Sequence, residues 1–331
     1  MLIMYLWNRF MSMLPFYESS IGFFAQAMSS YKEQFTHNPI YRSFCDLTHR
    51  HPSDCESLVQ IPFLPISFFK THTVLTGTSH YSHVFESSGT GGATSLHQIA
   101  DIQIYEQSFI HCFELFYGNP KQFAIIGLLP GYLEKPNSSL VYMMQKLIEL
   151  SDCADSGFYL DDHQKLHEVL KRRERNHKKT FLLGVSFALL DFAEQFPSSL
   201  SQTIVMETGG MKGRRKEMVR DELHAHLQRN LGVKEVQSEY GMTELLSQAY
   251  AKTEGRFHCP PWMKVFVRHP NNPMGVQEHG TGCLNIIDLA NKNSCAFIAT
   301  EDLAKVYPDG SFEVLGRVDS SDVRGCNLMV S

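Results

Sequence analysis

Residues Ser87-Ser88-Gly89-Thr90-Gly91-Gly92-Ala93-Thr94-Ser95 form an almost unbroken run of glycines and small hydroxyl-bearing side chains. Glycine has no Cβ, so such a run can turn sharply and bring its backbone close to a ligand. Successive N–H groups pointing at one spot, with hydroxyls around them, suit the oxygens of a phosphate. No Gly-Lys-Ser/Thr follows, which excludes the P-loop of kinases and GTPases, and the glycines are too closely spaced for the dinucleotide fingerprint. By composition alone a Ser/Gly/Thr cluster is equally a surface loop. A second element far downstream, Ser238-Glu239-Tyr240-Gly241-Met242-Thr243-Glu244, tips the reading toward a nucleotide-dependent enzyme.

The elements that must position these residues read as α/β. Residues 15–50 are helical in pattern and rich in aromatics, and residues 61–70 are proline-punctuated and extended. His83-Val84-Phe85 is strand-like and leads into the Ser/Gly run, with a helix from about residue 99 to 117 after it. A β/α rhythm follows: continuous apolar runs at 123–129 and 180–187 and shorter ones at 157–160, 203–207 and 233–237, with helices between them. The last of these helices ends at Gly232, placed as a C-terminal capping glycine. Alternating strands and helices imply a mostly parallel, covered sheet. Ligands of such sheets sit beyond the carboxyl ends of strands, and both motif loops are expected there. After about residue 255, Pro/Gly/Asn turns punctuate short strands, which reads as a small antiparallel β subdomain. The expected partition is residues 1–150, an α/β unit carrying the phosphate loop, 151–255, a second α/β unit, and 256–331, the β subdomain with a C-terminal tail.

Composition sets the bounds. The chain has 331 residues, 43% of them hydrophobic and 20% charged, with a net charge of −5. That is ordinary for a soluble globular protein and favours no nucleic-acid partner. The basic run at residues 171–179 reads as the solvated end of a helix, where cations suit the dipole. None of the eight cysteines forms a CxxC pair and the 16 histidines show no HExxH spacing, so no metal motif is expected. This cysteine usage fits a reducing cytoplasm. The apolar start is short and lacks a basic n-region, so neither a signal peptide nor a stable membrane insertion is expected.

Four short motifs occur in a telling order: Ser87-Ser88-Gly89-Thr90-Gly91, Tyr240-Gly241-Met242-Thr243-Glu244, Ala299-Thr300-Glu301-Asp302 and Gly316-Arg317-Val318-Asp319. In that order they resemble the core motifs of the acyl-adenylate-forming superfamily. The nearest likeness is to acyl-protein synthetases, the fatty-acid-activating component of the bacterial luminescence fatty-acid reductase complex. Phrases such as Ile61-Pro62-Phe63-Leu64-Pro65, Leu128-Leu129-Pro130, Ser138-Ser139-Leu140 and Gly209-Gly210-Met211-Lys212-Gly213 extend the resemblance over nearly the whole chain. The fold it implies is the N-terminal-domain-like core of those enzymes, with mostly parallel sheets and helices plus the antiparallel subdomain. The activity it implies is ATP-dependent activation of a fatty or other carboxylic acid, with Mg²⁺ as cofactor and an acyl-CoA-reductase-like protein as acyl acceptor. It assigns Ser87, Ser88, Gly89, Thr90 and Gly91 to the β- and γ-phosphates, Thr243 to the α-phosphate and Glu244 to Mg²⁺. Tyr240 would stack on adenine, with Gly241 beside it among the nucleotide-binding residues, Gly209 and Gly210 would line the base and acyl pocket, and Asp302 with Arg317 would bind the ribose. Blander roles stand beside these: Tyr240 as core, Glu244 as a helix cap, and Arg317 and Asp319 as a surface pair.

Departures from the pattern carry information too. The phosphate run has no lysine where larger relatives place one, so hydroxyls and backbone must carry more of the binding. The sequence stops at Ser331, where full-length adenylating enzymes continue into a mobile C-terminal domain with a lysine used in adenylation; that domain is expected to be absent. In its place stands Arg324-Gly325-Cys326-Asn327. Acyl-protein synthetases carry the acyl group on a cysteine near the C-terminus, and Cys326 matches by position. A thiolate is a strong nucleophile, and a neighbouring arginine lowers a thiol pKa. Two alternatives stay open: a CoA ligase of the phenylacetate type, and a non-catalytic acyl- or nucleotide-binding subunit.

Overall fold

Pro39 divides the first helical stretch. In the computed structural model, which describes residues 14–77, 80–87, 94–131, 137–160, 162–209 and 218–318, α1 (Phe23–His37) and α2 (Pro39–Leu47) stand where the sequence predicts one stretch over 15–50. A residue before proline is driven out of the helical region, and Asn38 is extended at φ −111°, ψ 104°. Its Oδ1 accepts the Tyr41 N–H at 3.0 Å, so one residue ends α1 and caps α2. Further on, β1 is only Leu64–Pro65, and a 3₁₀ turn covers Ile66–Lys70 where an extended segment is expected.

β2 (His83–Glu86) and β3 (Leu96–Ile99) pair antiparallel, with Phe85 opposite His97, in a two-stranded sheet apart from the main one. This corrects the expected position of the Ser/Gly run, which joins a hairpin and does not leave the carboxyl end of a parallel strand. The cause is local. The Ser87 N–H donates to the Ser95 carbonyl at 3.0 Å and the Ser95 N–H to the Ser87 hydroxyl at 2.9 Å, closing the base of the loop.

The β/α rhythm is present as read. It comprises α3 (Ile102–Tyr117), β4 (Ala124–Leu128), α4 (Ser139–Ser151), β5 (Gly157–Phe158), α5 (His163–Arg175), β6 (Thr180–Val185), α6 (Ser186–Gln195), β7 (Thr203–Thr208), α7 (Arg220–Leu231) and β8 (Val236–Tyr240). α3 starts at Ile102, later than the predicted 99, because residues 96–99 are spent in β3. Asp101 then caps the helix by accepting the Gln103 N–H at 3.0 Å. β5-β4-β6-β7-β8 run parallel, and β4 and β6 are buried at every residue. Strands covered on both faces read as continuous apolar runs. Gly232 ends α7 in the left-handed region at φ 63°, with its N–H on the Gln228 carbonyl at 2.9 Å. β8 begins and ends three residues later than the sequence predicts, so Ser238, Glu239 and Tyr240 are strand residues and the loop begins at Gly241.

The antiparallel part is β9 (Ala249–Ala251), β10 (Phe257–His258), β11 (Met263–His269), β12 (Asn272–Gln277), β13 (Gly280–Asp288), β14 (Phe297–Val306) and β15 (Phe312–Arg317). β9 pairs with β8, and the ladder continues β10-β15-β14-β13-β11-β12, with β1 alongside β14. Among the described residues the parallel and antiparallel parts thus share one sheet of 13 strands. No helix among those residues is long and apolar enough to cross a membrane.

Asp288, at the end of β13, ties this sheet to the loop that follows β8. Its fully buried carboxylate accepts the N–H groups of Leu246 and Ser247 at 2.8 and 3.0 Å, the Ser247 hydroxyl at 2.6 Å and the Ala290 N–H at 3.2 Å. Trp262 Nε1 donates to the hydroxyls of Ser247 and Ser108 at 3.0 and 3.2 Å. Replacing Asp288 by Ala leaves buried donors unmet, and we expect a loss of about 3 kcal/mol or more in urea unfolding. A loss within experimental error would mean that water or a neighbour replaces the carboxylate.

Candidate active site

Tyr240, Asp302 and Arg317, far apart in the sequence, form one chain of contacts. The buried Tyr240 ring meets Phe257 and Phe312 edge-on, and its hydroxyl donates to Asp302 Oδ2 at 2.6 Å. Arg317 Nε lies 3.3 Å from Asp302 Oδ1. β14 and β15 place Asp302 opposite Arg317, so the pairing follows from strand register. Burial, with the Asp302 carboxylate beside it, keeps the Tyr240 phenol protonated. A carboxylate offers about four lone-pair sites, so Asp302 retains acceptor capacity after these two contacts. Beneath it, Arg268 donates to the Thr300 carbonyl at 2.6 Å and to Asn285 Oδ1 at 2.7 Å, which fixes β14.

Thr243 and Glu244 follow Gly241 on a loop whose backbone is held at nearly every step. His97 Nδ1 lies 2.8 Å from the Thr243 carbonyl. A carbonyl only accepts, so Nδ1 carries the proton. Asn291 Nδ2 donates to the Glu244 carbonyl at 2.7 Å, and the Leu245 N–H to the Met242 carbonyl at 3.1 Å. The next two N–H groups belong to Asp288. Burial lowers the His97 pKa to about 4, so the ring is neutral. Neither His97 nor Asn291 is signalled as a site residue in the sequence, because the carbonyls they hold lie 146 and 47 positions away.

The Glu244 side chain is 4% exposed. Burial pushes its carboxyl above the ordinary range, against a hydrogen bond from Ser95 and the charges of Arg317 and Lys70. Ser95, at the closing end of the Ser/Gly hairpin, is therefore a direct neighbour of Glu244, and the charges of two cations reach it. Ser87 is described, with its hydroxyl closing the hairpin base. Ser88, Gly89, Thr90 and Gly91, together with Gly210, Asp319 and Cys326, lie outside the described residues.

The ends of β7 and β8 lie side by side. Gly209 is left-handed at φ 66°, and its carbonyl accepts the Ser186 hydroxyl at 3.0 Å. Ser186 also donates to Glu207 Oε2 at 3.2 Å, and Ser238 to Glu207 Oε1 at 2.6 Å. Burial works against the Glu207 carboxylate, but His224, Arg220 and Ser238 outweigh it and hold the carboxyl below its usual range. Glu239 points to the opposite face of β8 and accepts from the Thr208 hydroxyl at 2.5 Å. A Cβ on Gly241 would stand 2.4 Å from Glu239 Oε1, so this carboxylate occupies the space that glycine leaves. Glu239 and the hydrogen-bond network around Glu207 are further residues that the sequence reading missed.

With this geometry in place, comparison with known proteins is informative. The model of the family described as acyl-protein synthetase, LuxE, matches residues 17–331. The chain is similar to the long-chain-fatty-acid–luciferin-component ligase of Vibrio harveyi, at 22% identity over 326 residues, covering 91% of this chain and 85% of that one. It is similar to the ligase of the same name from Aliivibrio fischeri, at 23% over 325 residues, covering 90% and 84%. Among solved structures, a 2-hydroxyisobutyryl-CoA ligase in the postadenylation state superposes with a TM-score of 0.63 at 12% identity, over 89% of this chain and 68% of that one. ATP-bound MatB from Rhodopseudomonas palustris gives 0.54 at 14%, over 71% of this chain and 47% of that one, so the match spans about half of that structure. At such identities the structural likeness speaks for the fold: a mixed α/β core of the adenylate-forming type.

Glu239 makes the site sensitive to pH. Burial pushes its carboxyl up to about 7, with the negative charge of Glu207 adding to the rise and the Thr208 hydrogen bond opposing it. Between the ordinary value of 4.5 and about 7 the folded protein holds a proton that the unfolded chain has released. Stability therefore falls as pH rises through that interval and levels off above it. Glu239→Gln keeps an acceptor for Thr208 and cannot titrate. Its thermal midpoint should gain on the wild type as pH rises from about 5 to 7.5. Parallel pH profiles for the two proteins would assign the titration to another group.

Proposed function

The chain belongs to the acyl-protein synthetase family LuxE, and from that premise we propose that it activates a fatty acid with ATP as the acyl-adenylate and passes the acyl group to Cys326. The observation that carries this reading is the convergence of the Ser95 end of the hairpin and the Tyr240–Asp302–Arg317 chain on Glu244. In this reading adenine lies against Tyr240 and beside Gly209 and Gly210. The ribose hydroxyls donate to the free lone pairs of Asp302, with Arg317 in support. Thr243 meets the α-phosphate, and the hairpin receives the β- and γ-phosphates. The long-chain-fatty-acid ligase relatives favour a fatty acid as substrate.

Glu244 is the residue that would hold Mg²⁺. Among the described residues no group of three or more His, Cys, Asp or Glu side chains could cage a metal. Mg²⁺ takes one or two carboxylates and completes its shell with substrate phosphates and water. When bound, the cation would neutralise charge on the phosphates. A carboxylate whose charge burial disfavours gains from a cation beside it.

The chemistry balances in two steps. A carboxylate oxygen of the fatty acid attacks the α-phosphorus, the bond to the bridging oxygen breaks, and pyrophosphate leaves. The Cys326 thiolate then attacks the acyl carbonyl, AMP leaves, and a thioester remains. Here the protein's part is alignment and charge stabilisation. Six of the seven described cysteines, Cys259 and Cys283 among them, have thiols pushed up by burial, which leaves them poor nucleophiles. The acyl group then moves to a partner of the acyl-CoA-reductase kind in the cytoplasm.

Intact-mass measurement after incubation with Mg·ATP and a fatty acid tests this. The wild type should gain a hydroxylamine-labile acyl mass that Cys326→Ala lacks, while the variant still makes AMP and pyrophosphate. An adduct that persists in the variant would overturn the assignment of Cys326. Free acyl-CoA made without a protein adduct would favour the phenylacetate-type reading.

The His97 contact predicts a second outcome. His97→Leu releases the Thr243 carbonyl and should lower kcat for ATP–pyrophosphate exchange by about tenfold to a hundredfold. In His97→Asn the side-chain amide stands where Nδ1 stood, so most of that loss should be recovered. If the Asn and Leu variants are equally slow, the Thr243 contact is not what matters.

A further inference from the structure

The Ser/Gly run has no lysine, yet the fold brings a lysine to the same space from another part of the chain. Lys70 is the last residue of the 3₁₀ turn Ile66–Lys70. That turn packs between β3, which closes the Ser/Gly loop, and β14, which carries Asp302. Its anchor is Phe69, which is 1% exposed and lies edge-on to His97 with 5.3 Å between ring centroids. His97 in turn holds the Thr243 carbonyl. On the far side, the N–H groups of Thr71 and His72 both return to the Phe68 carbonyl, at 3.1 and 2.8 Å, and fix the end of the turn. The backbone of Lys70 is thus tied to the Thr243-Glu244 loop through two packed rings.

The Lys70 side chain is exposed and makes no ion pair or hydrogen bond among the described residues. Its charge nevertheless reaches the Glu244 carboxylate, as does that of Arg317. Arg317 is committed to Asp302, while the Lys70 ammonium is uncommitted. An uncommitted ammonium on a turn packed against the strand that closes the Ser/Gly hairpin, with its charge reaching the Glu244 carboxylate, has the chemistry of a phosphate contact. We propose that Lys70 binds the β- or γ-phosphate of ATP, taking the part of the lysine that the Ser/Gly loop lacks. This rests on the ATP-dependent reading above and adds the residue that neutralises the leaving pyrophosphate.

The β- and γ-phosphates are present in ATP and missing from AMP, which makes the proposal testable by binding. Dissociation constants for Mg·ATP and for AMP are measured by titration calorimetry on wild type, Lys70→Met and Lys70→Arg, with thermal midpoints recorded for each. Lys70→Met should bind Mg·ATP about tenfold more weakly or worse, in line with the loss of one charge-assisted hydrogen bond. AMP affinity should be unchanged, and Lys70→Arg should recover part of the ATP affinity. Equal weakening of ATP and AMP, or no change in either, would overturn the proposal. If the wild type binds neither nucleotide, the ATP-dependent reading fails first and this one with it. Because Lys70 is exposed, the midpoints should agree, so any affinity change reports on the contact and not on the fold.

Discussion

One buried carboxylate sets the geometry on which the rest depends. Asp288 stands at the end of an antiparallel strand and accepts from the backbone of the loop that follows the last parallel strand. It holds together two parts of the chain that the sequence separates by some 40 residues. An ionised group taken out of water demands a full set of partners, and here the partners are the N–H groups that a tight loop leaves unmet. The cost of burying the charge and the cost of bending the chain therefore offset one another. Glu244 and Thr243 inherit their positions from that bargain, reinforced from above by His97 and Asn291.

Much of the fold was legible because it rests on local chemistry. The continuous apolar runs of β4 and β6, the glycine after α7 and the break at Asn38-Pro39 are each written in neighbouring residues, although the last was passed over as a uniform helical stretch. The four motifs were legible as residue types in order. What stayed hidden depends on pairing at long range. No local pattern says that His97 is opposite Phe85 in a hairpin, since a short strand beside a Ser/Gly run looks the same whether its partner lies before or after it. The same holds for Asp302 and Arg317, whose contact follows from β14–β15 register, and for Glu239, which only the pleat turns away from Ser238 and Tyr240. The extended segment at 61–70 was misjudged because the prolines hid a 3₁₀ turn that has no periodicity of its own.

The electrostatics of the site follow from its acids. Glu207, Glu239, Glu244 and Asp302 are all largely buried around the ends of β7, β8 and β14. Their environments differ: Glu207 is kept ionised by Arg220, His224 and Ser238, while Glu239 has one hydroxyl and a like charge for company. A polyanion such as a triphosphate gains nothing from carboxylates alone. Arg317 and Lys70, whose charges reach Glu244, supply the opposite sign.

The hairpin of β2 and β3 shares no ladder with the main sheet. It is moored instead by rings, Phe85 against Tyr105 and Tyr142, and by the Glu86 N–H on the Asn137 carbonyl at 2.8 Å. A two-stranded ribbon has little stability of its own, so its place depends on those contacts and not on the main ladder. His97 rides on the same ribbon. Displacing the hairpin would also withdraw the imidazole from the Thr243 carbonyl, so the place of the ribbon and that of the Thr243-Glu244 loop are coupled.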